Sequence, residues 1–376
     1  MRAPLVVFGE DWGGHPSSTQ HLIRRLMSDQ PVVWVNSIGL RRPRLTDIYR
    51  VFKKGMAAIS PSVPIETQED EEKAPDALIH PFAIPVARNG IERKFNRIFL
   101  GNKIREALRP LSNKKPILWT SLPTAVDLLG CADEQAVVYY CGDDFSGLAG
   151  VDHAQVAEAE KKLVERADLI LVASERLGQK FPDKNNIVYL PHGVDVELFS
   201  TPCSSPNDLP ANRPVAGFYG SISEWIDVEL LSVVASTLPD WQFVFIGHLH
   251  TDVTVLSKLE NVTFLGPKKH DELPAYVQNW TVSLLPFRDN AQIRACNPLK
   301  LREYLSAGTP VVSSDFPALD GYRDLIALAN GPEEFASAII DTLNDPAKLR
   351  AQRRARVAEE SWDNRARDVA ELLSKL

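Results

Sequence analysis

Two stretches carry side chains whose types and spacing can do chemistry. The first is NPLKLREYLSAGTPVV, residues 297–312. Lys300 and Glu303 stand three apart, so a helix places them on one face. A lysine beside the unpaired N–H groups of a helix N-terminus collects an anion such as a diphosphate. A carboxylate one turn further on can accept hydrogen bonds from a diol such as a ribose. These types in this order predict a nucleotide-diphosphate cradle; the bland alternative is a solvated ion pair. The second stretch is YYCGDDF, residues 139–145, where an apolar run ends in two carboxylates, Asp143 and Asp144. A positioned carboxylate can act as a general base and take the proton of an attacking hydroxyl. Two adjoining, partly buried carboxylates would push one pKa upward and improve the base. Paired acids can also hold Mg²⁺, or Asp144 can cap a turn while Asp143 bonds loop amides.

Elements must position these groups. Asn297 is expected to cap the helix, with Pro298 at its first position and Gly308 closing it in a left-handed conformation. Val282–Leu285 reads as the buried strand before it and Pro310 opens the next. GFYGSISEW, residues 217–225, follows the same logic. Gly220 and Ser221 come after a strand and before a helix, so backbone N–H groups can approach a phosphate or sugar closely. Ser223 and Glu224 can contact the same ligand, whereas Trp225 can stack on it or simply pack. No GxGxxG fingerprint is present, which leaves a dehydrogenase without its central motif. Arg288 and Arg294 can pair with phosphate or remain on the surface. Near the N-terminus, Gly13, Gly14 and His15 follow the first strand and form a candidate acceptor or phosphate loop.

Short apolar strands alternate with helical patterns along the chain, which predicts α/β architecture with parallel sheets. The expected strands are Leu5–Phe8, Val32–Val35, Ala77–Phe82, Ile117–Trp119, Ala136–Tyr140, Leu169–Ala173 and Ile187–Leu190. After a break they resume with Val215–Tyr219, Gln242–Ile246, Val262–Leu265, Val282–Leu285, Pro310–Ser313 and Leu325–Ala329. Helical stretches include Ser17–Met27, Arg93–Leu108, His153–Arg166 and a long final one, Ala347–Leu376. The Pro-, Ser- and Asn-rich residues 200–214 read as a linker. The expected organisation is a domain over 1–199, a second over 215–355, and a tail, 356–376, returning to the first.

The sequence resembles the GT-B glycosyltransferases, whose C-terminal domains carry a helix of the form x-P-x-K-x-x-E-Y-x-A-x-G-x-P-V-V in polysaccharide-building members. The resemblance implies two Rossmann-like, doubly wound domains facing a cleft, with Lys300 toward the donor diphosphate and Glu303 on the ribose hydroxyls. Val262–Gly266 is similar to a family turn whose backbone meets the base, which adds Phe264 and Leu265 to a donor set of Gly220, Ser221, Glu224, Arg294, Asn297, Lys300 and Glu303. PHGVDVELF, residues 191–199, resembles the family's domain-junction element, where His192 and Asp195 are read as structural. Many relatives carry a second glutamate eight residues before the first; this chain has Ala295 there, which favours inversion. YYCGDD resembles an element of the xanthan-type glucuronosyltransferases that makes Asp143 the base and Asp144 its orienting partner. The implied activity moves a sugar from a nucleotide-sugar, a UDP-sugar before a GDP-sugar, to a hydroxyl of a bacterial polysaccharide or lipid-linked glycan, with no metal and no cofactor beyond the donor. A nucleotide-sugar 2-epimerase or a non-catalytic sugar-nucleotide-binding subunit would use the same scaffold.

Bulk properties agree with this class. The chain has 376 residues, of which 44% are hydrophobic, enough for two full cores. A net charge of −7 gives no reason to expect nucleic-acid binding. Cys131, Cys141, Cys203 and Cys296 lie far apart, as expected of separate thiols in a reducing compartment. The N-terminus lacks the apolar run of a signal peptide, and no stretch is long enough to span a bilayer, so a cytoplasmic location is expected. Residues 41–54 and 86–115 are basic with interleaved apolar side chains. That pattern suits either an anionic membrane surface at the inner face or ordinary helices with a basic solvent side.

Overall fold

The protein is described by a computed structural model over residues 2–14, 17–37, 74–81, 83–84, 89–145 and 152–376. The expectations for His15, for Phe82 and for the basic segment 41–54 lie outside the described residues. The chain folds as two compact units, Met1–Pro191 with Arg365–Leu376, and His192–Asn364.

In the first unit, β1 (Leu5–Phe8), β2 (Val32–Val35), β3 (Ala77–Ile79), β4 (Ile117–Thr120), β5 (Ala136–Cys141), β6 (Leu169–Val172) and β7 (Ile187–Tyr189) form one sheet in the order β3-β2-β1-β4-β5-β6-β7. Every pairing is parallel. Five of these strands are buried along their whole length. That is why they read as unbroken apolar runs and not as alternation. Helices Ser18–Leu26, Gly90–Leu108 and His153–Arg166 connect them. Ser17 caps the first, its hydroxyl accepting from Gln20 N at 3.2 Å and donating to Glu10 at 2.8 Å.

The second unit repeats the plan. β8 (Val215–Tyr219), β9 (Gln242–Ile246), β10 (Val262–Gly266), β11 (Val282–Leu285), β12 (Val311–Ser313) and β13 (Ala327–Leu328) are ordered β10-β9-β8-β11-β12-β13, again all parallel. In both sheets the strand order reverses beside the first strand, between β1 and β4 and between β8 and β11. Loops leave that point in opposite directions, so a ligand crevice opens outside the carboxyl ends of the strands. The glycine loop after β1 and the GFYGS loop after β8 both sit there.

Three differences from the sequence expectations have physical causes. The cradle helix runs Leu299–Ala307 with Pro298, not Asn297, in the capping position and no side-chain cap. Asn297 instead turns its carbonyl to Arg302, accepting at 2.6 Å. The final helix is two helices, Ala347–Val357 and Trp362–Leu373. Glu360 O accepts from Val194 N at 2.9 Å, and Trp362 N donates to Val194 O at 3.1 Å, so this backbone bonds sideways and leaves the helical ladder. Residues 201–214 are not a loose tether. Gln278 and Asn279 bond Phe199 O, Thr201 O, Cys203 N and Cys203 O, and Lys268 and Tyr276 both bond Asp208.

Candidate nucleotide-binding site

The second unit's crevice is made from glycines first. Gly220 follows β8 with φ +134° and Gly247 follows β9 with φ +140°. Side chains rarely adopt these conformations, and a Cβ on Gly247 would run into the Gly220 carbonyl. Gly220 N donates to Ile246 O at 2.8 Å, and Gly247 N donates to Gly266 O at 2.9 Å, so three neighbouring strand ends are laced together through backbone. On β10 the register slips between Phe264 and Gly266, where the sequence expected a base-contacting turn. Phe264 stacks on Phe245 at 5.4 Å, and both Phe264 and Leu265 are half-buried against the core.

Lys300 and Glu303 enter this frame from the Leu299–Ala307 helix. The Lys300 stem fills the space a Cβ on Gly220 would occupy, and its ammonium lies 6.0 Å from the Phe218 ring centroid. Glu303 is only 4% exposed, which rules out the solvated ion pair. Its Oε2 accepts from the Tyr219 hydroxyl at 2.6 Å, and its Oε1 lies 3.1 Å from His270 Nε2. Burial pushes the Glu303 carboxyl upward, but the His270 hydrogen bond and charge, with help from Tyr219 and Lys300, hold it below the ordinary glutamate range. Burial likewise favours neutral His270, yet Glu303, Asp195 and Asp271 raise its pKa overall. Both shifts favour a carboxylate facing a protonated imidazole. Each carboxylate oxygen keeps acceptor capacity beyond the bond it makes.

His270 and Tyr219 were not among the expected site residues. No local pattern marks His270, because its bond to Glu303 spans 33 positions. The other expected donor residues are placed less centrally. Ser221 and Glu224 are exposed on the loop after Gly220, Ser223 is buried, and Trp225 packs on the core. Arg294 is exposed and makes two bonds of 2.5 Å to Asp289. Arg288 donates to Ile226 O at 3.3 Å. Asn297 belongs to the Arg302 network, which also holds Glu360 at 2.6 Å. Asp195 caps the helix Val196–Ser200, accepting from Leu198 N at 3.2 Å, as a structural residue would.

In the first unit, Gly13 (φ +78°) and Gly14 form the turn after β1, with Gly14 N donating to Asp11 O at 3.2 Å. At the end of β5, Asp143 is exposed, while Asp144 accepts from Lys180 Nζ at 2.9 Å. The same ammonium is 3.1 Å from Glu160, which accepts from the buried Tyr139 hydroxyl at 2.6 Å. The expected pair of mutually repelling carboxylates is thus replaced by a lysine-centred network, since Lys180 compensates the charge of Asp144. Burial disfavours that ammonium, but Glu160 and Asp144 outweigh it and raise the Lys180 pKa. All four cysteines are free thiols, and burial pushes Cys131 to about 11 and Cys141 to about 12. Among the described residues, no three metal-ligating side chains cluster and no helix is long and apolar enough to cross a membrane.

Residues 213–345 match the family model of glycosyl transferases group 1. TuaH of Bacillus subtilis (strain 168), which bears the name of a teichuronic acid biosynthesis glycosyltransferase, is 28% identical over 250 residues. That match spans 60% of this chain and 63% of the relative. A sucrose-phosphate synthase from Thermosynechococcus elongatus superposes with a TM-score of 0.71 at 18% identity, covering 100% of this chain and 99% of that one. HepE of Anabaena, solved with UDP and glucose, superposes with a TM-score of 0.66 at 15% identity, covering 99% of each chain. The chain has the GT-B fold, and the match to the group 1 glycosyl transferase model lies within its second unit. It resembles the glycosyltransferases of the teichuronic-acid type.

Proposed function

We propose that this protein transfers a glycosyl group from a nucleotide-sugar, a UDP-sugar by preference, to a hydroxyl of a bacterial polysaccharide or lipid-linked glycan. One observation carries the reading: a buried Glu303 held by Tyr219 and His270 stands one helical turn beyond Lys300, itself laid against the Gly220 backbone at the sheet's switch point. A carboxylate fixed from behind presents its remaining lone pairs to a ribose diol. The Lys300 ammonium, the Gly220 loop and the amides of the Leu299–Ala307 helix meet a diphosphate whose charge grows as the sugar leaves. Solution of HepE with UDP supports the choice of base by likeness of fold only.

For the base, the first unit offers Asp143. Its carboxylate would take the acceptor hydroxyl's proton while that oxygen bonds the anomeric carbon and the carbon–oxygen bond to the diphosphate breaks. Asp144, fixed by Lys180, would hold the backbone of this turn. Ala295, buried where many relatives carry a glutamate, agrees with inversion.

The test is calorimetric titration of UDP together with turnover of UDP-sugars, with and without glycan acceptor. Lys300→Ala should weaken UDP about 10- to 100-fold, the loss of one charge-assisted hydrogen bond. Asp143→Asn should keep UDP affinity and lose about 10²- to 10⁴-fold in transfer. Unchanged UDP affinity in Lys300→Ala would overturn the donor site. Isomerisation of donor without acceptor would favour an epimerase.

A further inference from the structure

Asparagine and proline are residue types that open helices, the first by capping and the second at the first helical position. Asn297 and Pro298 stand in that order before the Leu299–Ala307 helix and do neither. Pro298 takes the capping place itself with ψ 105°, and no side chain caps the helix. The asparagine carbonyl is held elsewhere. Arg302 Nη1 donates to Asn297 Oδ1 at 2.6 Å and to Pro298 O at 3.4 Å. One turn into the helix, Arg302 has folded back onto the segment that leads into it.

This arrangement opposes two local preferences. A cation in the first turn faces the positive end of the helix dipole. A guanidinium that is only 3% exposed also needs a counter-charge. Glu360 supplies it, accepting from Arg302 Nε at 2.6 Å, while the Tyr322 hydroxyl donates to both Glu360 oxygens at 2.8 and 2.7 Å. The Tyr322 ring centroid lies 5.7 Å from the guanidinium carbon. Glu360 is fixed in turn through its backbone, its carbonyl accepting from Val194 N at 2.9 Å. Distant segments are thus spent on holding one asparagine off the end of one helix. A capping side chain and a phosphate oxygen seek the same first-turn N–H groups. An asparagine carbonyl seated there would have to be displaced by any diphosphate.

We infer that Arg302, braced by Glu360 and Tyr322, is a positioning residue that keeps Asn297 from capping the Leu299–Ala307 helix and so keeps the helix N-terminus open to the donor diphosphate. The inference rests on the nucleotide reading above and gives the buried ion pair a part in it. Arg302 acts through Asn297 and not by contact with the nucleotide.

The double variant Arg302→Met with Glu360→Gln tests it, because both charges go together and no lone ion stays buried. Its crystal structure without nucleotide should show Asn297 Oδ1 on the amide of Leu299 or Lys300. Calorimetry should find UDP bound about fivefold to tenfold more weakly, the worth of one helix cap. Uridine, which has no phosphate, should compete as well as it does with the wild type. Adding Asn297→Ala removes the rival cap and should restore most of the UDP affinity. A merely structural ion pair would weaken UDP and uridine together, and the third substitution would restore neither. Should the double variant fail to fold, Arg302→Lys serves in its place. Its compact ammonium lacks the fork that reaches Glu360 and Asn297 through different nitrogens, so the same loss and the same restoration are expected. Asn297 still off the helix in the variant, UDP affinity that does not fall, or a fall that Asn297→Ala does not reverse overturns the inference. Lys300→Ala, titrated alongside, keeps the two readings apart. If it weakens UDP while the Arg302 variants do not, only the role of Arg302 is lost. If it leaves UDP affinity unchanged, the donor site fails and takes the role of Arg302 with it.

Discussion

At the residue scale, Glu303 shows how a glutamate becomes a fixed acceptor. Desolvation alone would protonate it; His270 supplies a positive partner and Tyr219 a neutral donor, and the balance keeps it ionised. The two shifts have opposite signs and define a window. Glu303's depressed pKa contributes stability that is present above the ordinary value of 4.5 and is lost as pH falls through the lowered one. His270's raised pKa contributes stability that is full below 6.5 and is lost as pH rises through the elevated value. The second unit should therefore be most stable between those limits. Denaturant titration across pH should show the wild type losing stability as pH rises above 6.5 and through the raised His270 value. His270→Gln, which keeps a hydrogen-bond donor but no titrating charge, should abolish that alkaline loss. An equal slope in the variant would mean that His270 is not the group responsible. The sequence made Lys300 and Glu303 legible because they share one helical turn. It hid His270 and Tyr219, since neither lies near Glu303 along the chain.

Elements differ in how far they announce themselves. β1, β2, β8, β9 and β11 have the boundaries expected from their sequences, because parallel strands buried on both faces read as near-continuous apolar runs, with only Gln242 and Ser283 as polar exceptions. The break between Val357 and Trp362 could not be seen that way: AEES has neither glycine nor proline. Its cause is tertiary. The backbone at residues 360–362 bonds to Val194, and the Glu360 carboxylate binds Arg302 at 2.6 Å and the Tyr322 hydroxyl at 2.8 and 2.7 Å. Arg302 sits in the Leu299–Ala307 helix and is nearly inaccessible, so Glu360 neutralises a buried cation there. Removing one partner of such a pair costs about 3 to 5 kcal/mol, because the other charge stays buried and unpaired. Glu360→Ala should lower unfolding stability by an amount near that range, and Glu360→Gln, which retains an acceptor, by less. Chemical denaturation of the full chain measures both. Equal losses would show that the charge is unimportant and that packing sets the cost.

Across the whole molecule, two sheets of the same strand order share one design, yet their switch points are furnished differently. The first has the Gly13–Gly14 turn, with an exposed Asp143 and a lysine-locked Asp144 two strands away at the end of β5; the second has laced glycines, a lysine and a buried glutamate. Only the second resembles a nucleotide cradle, so nucleotide should stabilise only His192–Asn364 directly. Binding to the native state adds RT ln(1 + [L]/Kd), about 2.7 kcal/mol at a hundredfold excess over Kd. Amides that exchange through full opening of the second unit should slow by the matching factor of about 100. Core amides of β8, β9, β11 and β12 are the reporters, since those strands lie at or next to the crevice and are almost wholly buried. The corresponding amides of β1, β4 and β5 report the other unit. Hydrogen exchange with and without UDP should protect the first group beyond the second if the units open independently. Lys300→Ala, measured at the same UDP concentration, should give back most of the protection. Protection confined to β1, β4 and β5 would move the nucleotide to the glycine turn at Gly13 and Gly14, and would leave the Lys300–Glu303 helix with a purely structural role.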